Sequence, residues 1–413
     1  MKRKPKLNAV ALLTVTAIII GIFASCAQNA GYAGIDSSMI VSKKYATTDD
    51  VQPAPVDTYD QTEATTEATT VATTVATFVQ PLTGLTSEND LSGTRPIAVI
   101  VDNSAAALAH QTGLLQADIL YEALCAPGVT RFMAVIGDTS SLDDICNIAS
   151  AGAVHVSWAA NHNAVLICAG AHDDTNPYYD FYTTVMNRPG GKQSYIDTQT
   201  EPAWSAEQCA ALGCIRFYSD GYRSDILYDT LLTSKALRAT LNTGSRFTSA
   251  GGTLDGETKQ LLKFGDGMKY DTAAATQIEL TFSGEGLTAP KQKYVTYDYN
   301  KESGKYLRSQ NGQPHVDADT GEQLSFDNLI VIGTDVKFVS SGVSTEPYVT
   351  DIKTTGTGTG YYFHGGECTE ITWVGNDGGL SFYCGNMPLT VHSGTTYIGF
   401  VDESSVSHTI WYK

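Results

Sequence analysis

Residues Arg95–Asn103 read "RPIAVIVDN", an apolar run that stops abruptly at a carboxylate and an amide. The run reads as a strand, and Asp102–Asn103 stand where it hands over to a turn. Two roles are open to them. Past the C-terminal end of a strand in a parallel or mixed sheet, such residues line the natural ligand crevice. A carboxylate ending a strand can equally accept backbone N–H groups from the turn that follows.

Working outward, "LLQADILYEAL" (114–124) reads as a helix or mixed segment, and "TRFMAVIGD" (130–138) and "HNAVLICAGAH" (162–172) read as strands. Helices are expected around "SAEQCAALG" (205–213) and "SKALRATL" (234–241). Strands interleaved with helical patterns indicate an α/β layer. From about Gly251 the pattern changes to short runs bounded by Gly, Asn, Asp and Ser: "QIELTFSGE", "KYVTYDYN", "NLIVIGTDVKFV", "GYYFHGG", "TEITWVG", "LSFYCG" and "TYIGFVD". That spacing predicts an antiparallel, β-rich region. The fold class expected is α+β, with an α/β domain carrying a mixed sheet over 81–250 and a β-rich domain over 251–413. About 330 residues exceed one ordinary core, which makes two domains the default.

The N-terminus, "MKRKPKLNAVALLTVTAIIIGIFASC", places four cations before an uncharged run that ends in small residues and Cys26. This is the layout of a secretory signal over residues 1–25. The ending Phe23–Cys26 resembles the lipobox of bacterial lipoproteins, whose cysteine is lipidated and becomes the first residue of the mature chain. An uncleaved transmembrane anchor is the alternative, since the run nearly spans a bilayer. Both place the remainder outside the cytoplasm and hold it to a membrane. Residues 26–80 are rich in Thr, Ala, Asp and Gln, with a four-residue repeat in "EATTEATTVATTVATF" (63–78). Such composition cannot build a core and reads as a tether. About 54 flexible residues have an r.m.s. reach of about 40 Å, enough to lift a folded module off the membrane.

The chain holds 44 acidic against 26 basic residues, for a formal charge of −18, and signal removal would make it four charges more negative. A nucleic-acid footprint is excluded. Seven cysteines besides Cys26 form no CxxC pair and no zinc spacing, so neither a metal nor another cofactor is expected.

"PLTGL" (81–85), "RPIAVIVDN", "QTGLLQADILYEAL" (111–124) and "VTRFMAVIGD" (129–138) resemble the N-terminal domain of the YerB-like lipoproteins, a Firmicute family of unknown function. Residues 297–332, "ITWVG" (371–375) and "MPLTVHSGTTYIGFV" (387–401) resemble its C-terminal domain, in the same order. The resemblance implies an anchored, extracytoplasmic two-domain protein and no particular reaction. Where family members carry G-P-[IV]-R-S-A-R, this chain has "CNIASAG" (146–152), without either arginine. The family's R-x-P-H-N-L-Y stands as "RSDILY" (223–228). Arginines are the natural contacts for an anionic ligand, and a ligand preference resting on them is lost here.

Several clusters could carry chemistry. Asp102, Asn103, Glu122 and Arg131 are polar members of the family landmark, with Glu122 and Arg131 placed to form an ion pair across the next turn. His172, beside Asp173, could serve as an acid–base pair. These five are the candidate ligand contacts. "LGCIRF" (212–217) resembles the nucleophile segment of L,D-transpeptidases, but no Ser-His precedes the Gly-Cys, and a cysteine starting a buried strand is favoured for Cys214. Asp317 and Asp319 alternate as in calcium loops, yet Gly321 takes a ligand position; a turn explains them equally. His364 and Glu367 could share a metal. The reading that follows is a non-catalytic binding or scaffold module, with cell-wall components or another envelope protein as partner. The alternative is a cell-wall enzyme using Cys214 or the Asp102/Glu122 carboxylates.

Overall fold

The computed structural model describes residues 76–170, 195–198, 231–242, 254, 256–266, 270–284, 292–340, 348–376, 379–403 and 410–413. Cys26, the tether up to residue 75, His172, "SAEQCAALG", Cys214 and "RSDILY" lie outside them.

The landmark run forms β1 (Ile97–Asn103), all seven residues of which are buried. It lies inside a 12-stranded mixed sheet, and interior strands covered on both faces need no alternation of polar and apolar residues. On one side β1 pairs antiparallel with β3 (Val129–Ile136), which pairs antiparallel with β2 (Ile119–Ala126). On the other it pairs parallel with β4 (Val165–Cys168), beside β5 (Tyr195–Asp197). The expected helix or mixed segment at 114–124 is corrected here. A single 3-10 turn, Leu114–Gln116, precedes β2, and the helical spacing of its apolar residues is that of a strand buried on both faces.

Two helices are described, α1 (Ala153–Ala160) and α2 (Ser234–Asn242), the second at the expected "SKALRATL". The Gly152 N–H that opens α1 donates to His155 Nδ1 at 2.9 Å. Trp158 of α1 stacks on Tyr121 and Phe400, with ring centroids 5.2 and 4.5 Å away.

The second half is strand-rich, as its spacing predicts. It contributes β6 (Gln277–Phe282), β7 (Lys293–Asn300), β8 (Lys305–Gln310), β9 (Asn328–Thr334), β10 (Val336–Ser340), β11 (Tyr348–Ile352), β12 (Gly356–His364), β13 (Glu367–Asn376), β14 (Gly379–Cys384), β15 (Thr396–Asp402) and β16 (Ile410–Tyr412). The antiparallel expectation holds for β12, β13 and β14 but fails at β15, which runs parallel to both β9 and β2. Through the Thr396↔Ile119 to Gly399↔Glu122 pairs, the two halves share one sheet. A second, six-stranded antiparallel sheet contains β8, β7, β6 and β16. The inward residues of β7 and β8 meet those of β1 and β2.

A row of glycines admits one large side chain. Trp373 donates its indole N–H to the Gly333 carbonyl at 2.8 Å. A Cβ on Gly358 would sit 2.6 Å from Trp373 Nε1, and one on Gly375 would lie 1.9 Å from the backbone oxygen of Thr354. Gly375→Ala is therefore expected to cost about 1–3 kcal/mol by overpacking. Gly93→Ala, with nothing within 4 Å of the added carbon, should stay within about 0.5 kcal/mol. Paired thermal melts of the two variants check this contrast.

Candidate functional site

Glu122 lies on β2 in the run "ILYEALCA" and is fully buried. A carboxylate there must find charge and hydrogen bonds inside the protein. Arg308 on β8, equally buried, places Nη2 3.0 and 2.9 Å from its two oxygens. The remaining acceptor sites are filled by Tyr397 Oη on Oε2 at 2.9 Å, and by Thr130 Oγ1 and Asn103 Nδ2 on Oε1 at 2.6 and 2.9 Å. Burial alone would raise the Glu122 pKa. The Arg308 and Lys293 cations overcome that and hold it below the usual carboxylate range. For Arg308, burial pulls downward and Glu122 more than offsets it.

The network continues outward from Arg308. Nη1 donates to Gln310 Oε1 at 3.0 Å and to His315 Nδ1; His315 Nε2 in turn meets Gln111 Oε1. Gln111 Nε2 donates to the Asp102 carbonyl at 2.8 Å. His315 is thus used as a neutral ring, accepting at one nitrogen and donating at the other. Burial, then the Arg308 and Lys293 charges, push its pKa down to about 2. The Phe132 ring lies under the guanidinium, its centroid 5.0 Å from Cζ. Lys293, at the start of β7, donates to the Asn103 carbonyl at 2.5 Å. Burial lowers its pKa to about 7, against the pull of Glu122.

Of the candidate contacts, Asn103 and Glu122 come together in this network. Asp102 does not join them through its carboxylate, which accepts from Ser104 N and Ser104 Oγ at 3.2 and 2.8 Å and closes the turn. The expected Glu122–Arg131 pair is corrected. Arg131 stands opposite Asp102 in the β1–β3 register, and its Nη1 donates to the Ser150 carbonyl at 2.9 Å, while Arg308 takes Glu122. Adjacent strand ends suggested the wrong cation because the true partner is 186 residues away. Arg308, Tyr397, Thr130, Lys293 and His315 were all missed. One signal was available: in "KYLRSQ" the inward, alternating positions are Tyr306, Arg308 and Gln310, so a buried polar face was legible.

The segment "CNIASAG" runs beside β1, where Asp102 N donates to Asn147 O at 2.9 Å and Ala149 N to Ile100 O at 2.8 Å. Ala149 is fully buried. Asp317 acts as a turn residue: Oδ1 accepts from Asp319 N and Thr320 N, and Oδ2 from Gly113 N at 2.6 Å. His364 and Glu367 do not share a ligand set, since Glu367 accepts from Thr272 and His364 stacks on His392. Among the described residues, no three His, Cys, Asp or Glu side chains gather to hold a metal. A cleft of about 510 Å³ opens among Leu115, Leu142, Asp143, Asp144 and Asp319, apart from the Glu122 network.

A family model described as "Protein of unknown function (DUF3048) N-terminal domain" matches residues 82–204, and its C-terminal counterpart matches residues 286–398. The chain belongs to the DUF3048 family. The curated protein named "Putative lipoprotein YerB" from Bacillus subtilis (strain 168) is 23% identical over 333 residues, covering 79% of this chain and 88% of that protein. The crystal structure of YerB protein from Bacillus subtilis has the same fold, with a TM-score of 0.60 at 20% identity over 79% of this chain and 98% of that one. The two DUF3048 models divide the ion pair between them: Glu122 falls in the N-terminal match and Arg308 in the C-terminal one.

Glu122→Gln leaves Arg308 uncompensated and should cost about 3–5 kcal/mol in denaturant unfolding, whereas Glu122→Leu with Arg308→Met should recover much of that loss. A second prediction concerns Asp118, pushed up to about 6 by burial, with the Asp138 charge adding to it and the Gly137 N–H at 2.7 Å opposing. A raised carboxyl pKa gives stability that is complete below the unfolded value and lost as pH rises through about 6. Asp118→Asn should raise the thermal midpoint at pH 8 and leave it unchanged at pH 4.

Proposed function

We propose that this DUF3048 protein is an exported lipoprotein, held to the outer face of the cytoplasmic membrane through Cys26, whose residues 81–413 act as a non-catalytic binding or scaffold module at the cell envelope. The observation that carries the reading is the state of Glu122, the acid at the centre of the family landmark. Its oxygens are spent on Arg308, Tyr397, Thr130 and Asn103, all within the protein. A general acid or nucleophile needs an oxygen presented to substrate. In this reading Asp102, Asn103, Glu122 and Arg131 join strands, and ligand contact falls to other surfaces, with His172 kept as a proposed contact. The anchor reading rests on the Phe23–Cys26 ending, and the name of the Bacillus subtilis relative supports it. Cell-wall components or another envelope protein are the proposed partners, and the acidity of the chain argues for cationic ones.

Cys26→Ala should abolish incorporation of a labelled fatty acid and release the protein from the membrane fraction; labelling that survives the substitution overturns the anchor. The rival enzyme reading is tested at Cys214. Resistance of the native thiol to a small alkylating reagent removes it as a nucleophile, whereas fast alkylation at neutral pH would favour the enzyme.

A further inference from the structure

His364 and His392 lie face to face, with ring centroids 3.7 Å apart and planes 4° from parallel. They come from different parts of the chain. His364 ends β12 at the tight turn into β13; His392 opens the loop 392–395 between the short strand Thr390–Val391 and β15. Their protonation can be read from their neighbours. His364 Nδ1 is 3.1 Å from the Asp327 carbonyl, which only accepts, so Nδ1 carries hydrogen. Asn328 Nδ2 donates to the His392 carbonyl at 2.9 Å, which turns Asn328 Oδ1 toward Tyr362 Oη, also at 2.9 Å. The single Tyr362 proton goes to that oxygen. Tyr362 Oη then accepts from the His392 backbone N–H and from His392 Nδ1, both at 3.0 Å. Both rings therefore donate through Nδ1 and leave Nε2 as the site where a proton would add.

The charged and titratable groups around the pair come from every neighbouring element. Asp327 accepts from Thr395 N and Oγ1 at 2.8 and 3.0 Å and from Lys305 at 3.2 Å. Asp266 accepts from Ser393 N at 3.4 Å. Glu367 is the cross-strand partner of His364, Tyr270 bonds Thr390, and Lys263 pairs with Thr390. Asp327 and Asp266 favour a first proton on the pair. A second would set two cations 3.7 Å apart, with Lys305 close by.

We propose that the His364–His392 stack is an acid-released clasp, which helps to hold the loop 392–395 against the β12–β13 turn until both rings are protonated. Neutral or singly charged, the rings stay stacked. The second proton drives them apart and loosens the loop, which then keeps its backbone bonds from Ser393, Gly394 and Thr395 to Asp266, Thr83 and Asp327. That loop feeds directly into β15, whose Tyr397 bonds Glu122, so release loosens the entry to the strand shared by both halves. Burial, followed by His392, already lowers the His364 pKa.

The test uses the full chain with labelled histidines, as wild type, His364→Phe and His392→Phe, followed by NMR across pH. Phenylalanine keeps a stacking ring and removes the titration. The wild type should show two steps separated by more than about one pH unit, as coupled sites do. Amide exchange at residues 392–395, corrected for its intrinsic pH dependence, should rise about tenfold through the lower step, equivalent to about 1.4 kcal/mol of lost protection. Each Phe variant should abolish that rise. A single joint step near the ordinary histidine value in wild type overturns the proposal, as does a rise that persists in both variants. The wild-type titration decides even where a variant fails to fold.

Discussion

The buried pair of Glu122 and Arg308 is the constraint on which the rest of the arrangement turns. Each ion would be costly without the other: one sits on a strand of the mixed sheet, the other on a strand of the facing sheet. Such a pair need not add net stability, because desolvating two charges consumes most of their attraction. Its strength lies in selection. Sliding β8 by one residue against β7 would turn Arg308 away from the core and leave Glu122 buried without a countercharge. The hydroxyls of Tyr397 and Thr130 and the amide of Asn103 add a second condition, since each reaches Glu122 only with β15, β3 and β1 in register. One carboxylate thereby reports on four strands of the mixed sheet and on the sheet that faces it.

The landmark "RPIAVIVDN" can be understood in this light. Its apolar residues 97–101 form the strand between β3 and β4, and the two polar residues at its end divide the labour. Asp102 closes the turn through Ser104, whereas Asn103 reaches back into the core. Its side-chain amide nitrogen donates to both Glu122 and Thr130, the latter at 2.8 Å, and its backbone carbonyl receives Lys293. Two neighbouring polar residues at a strand end thus serve a local turn and a long-range network respectively. A family motif of this kind is explained by folding without any ligand.

Strands such as β6, β8 and β13 were legible because they are bounded by turn formers and alternate between buried and less buried positions, whereas β9 and β15, buried throughout, were marked by their flanking turn formers alone. The character of β2 was not legible. An interior strand buried on both faces carries no alternation, and Ala117, Leu120, Tyr121 and Leu124 fall at helical spacing by coincidence. The parallel pairing of β15 with β9 and β2 was hidden for another reason: a strand's own residues do not state its direction relative to neighbours distant in sequence. The candidate site shows the same division. That Glu122 needs a cation inside an apolar run follows from elementary electrostatics, but the nearest cation in sequence, Arg131, was the wrong one. Only the alternation of Tyr306, Arg308 and Gln310 hinted that β8 faces inward with polar groups.

The absence of arginine from "CNIASAG" fits this packing. Ile148, Ala149 and Ala151 are fully buried beside β1, and the Ser150 carbonyl is already occupied by Arg131. A guanidinium at Ala149 would need its own buried counter-ion, and the acid nearest in the landmark, Asp102, is committed to Ser104. Alanine at 149 therefore makes no charge demand on the core. In this chain the segment is a packing element against β1.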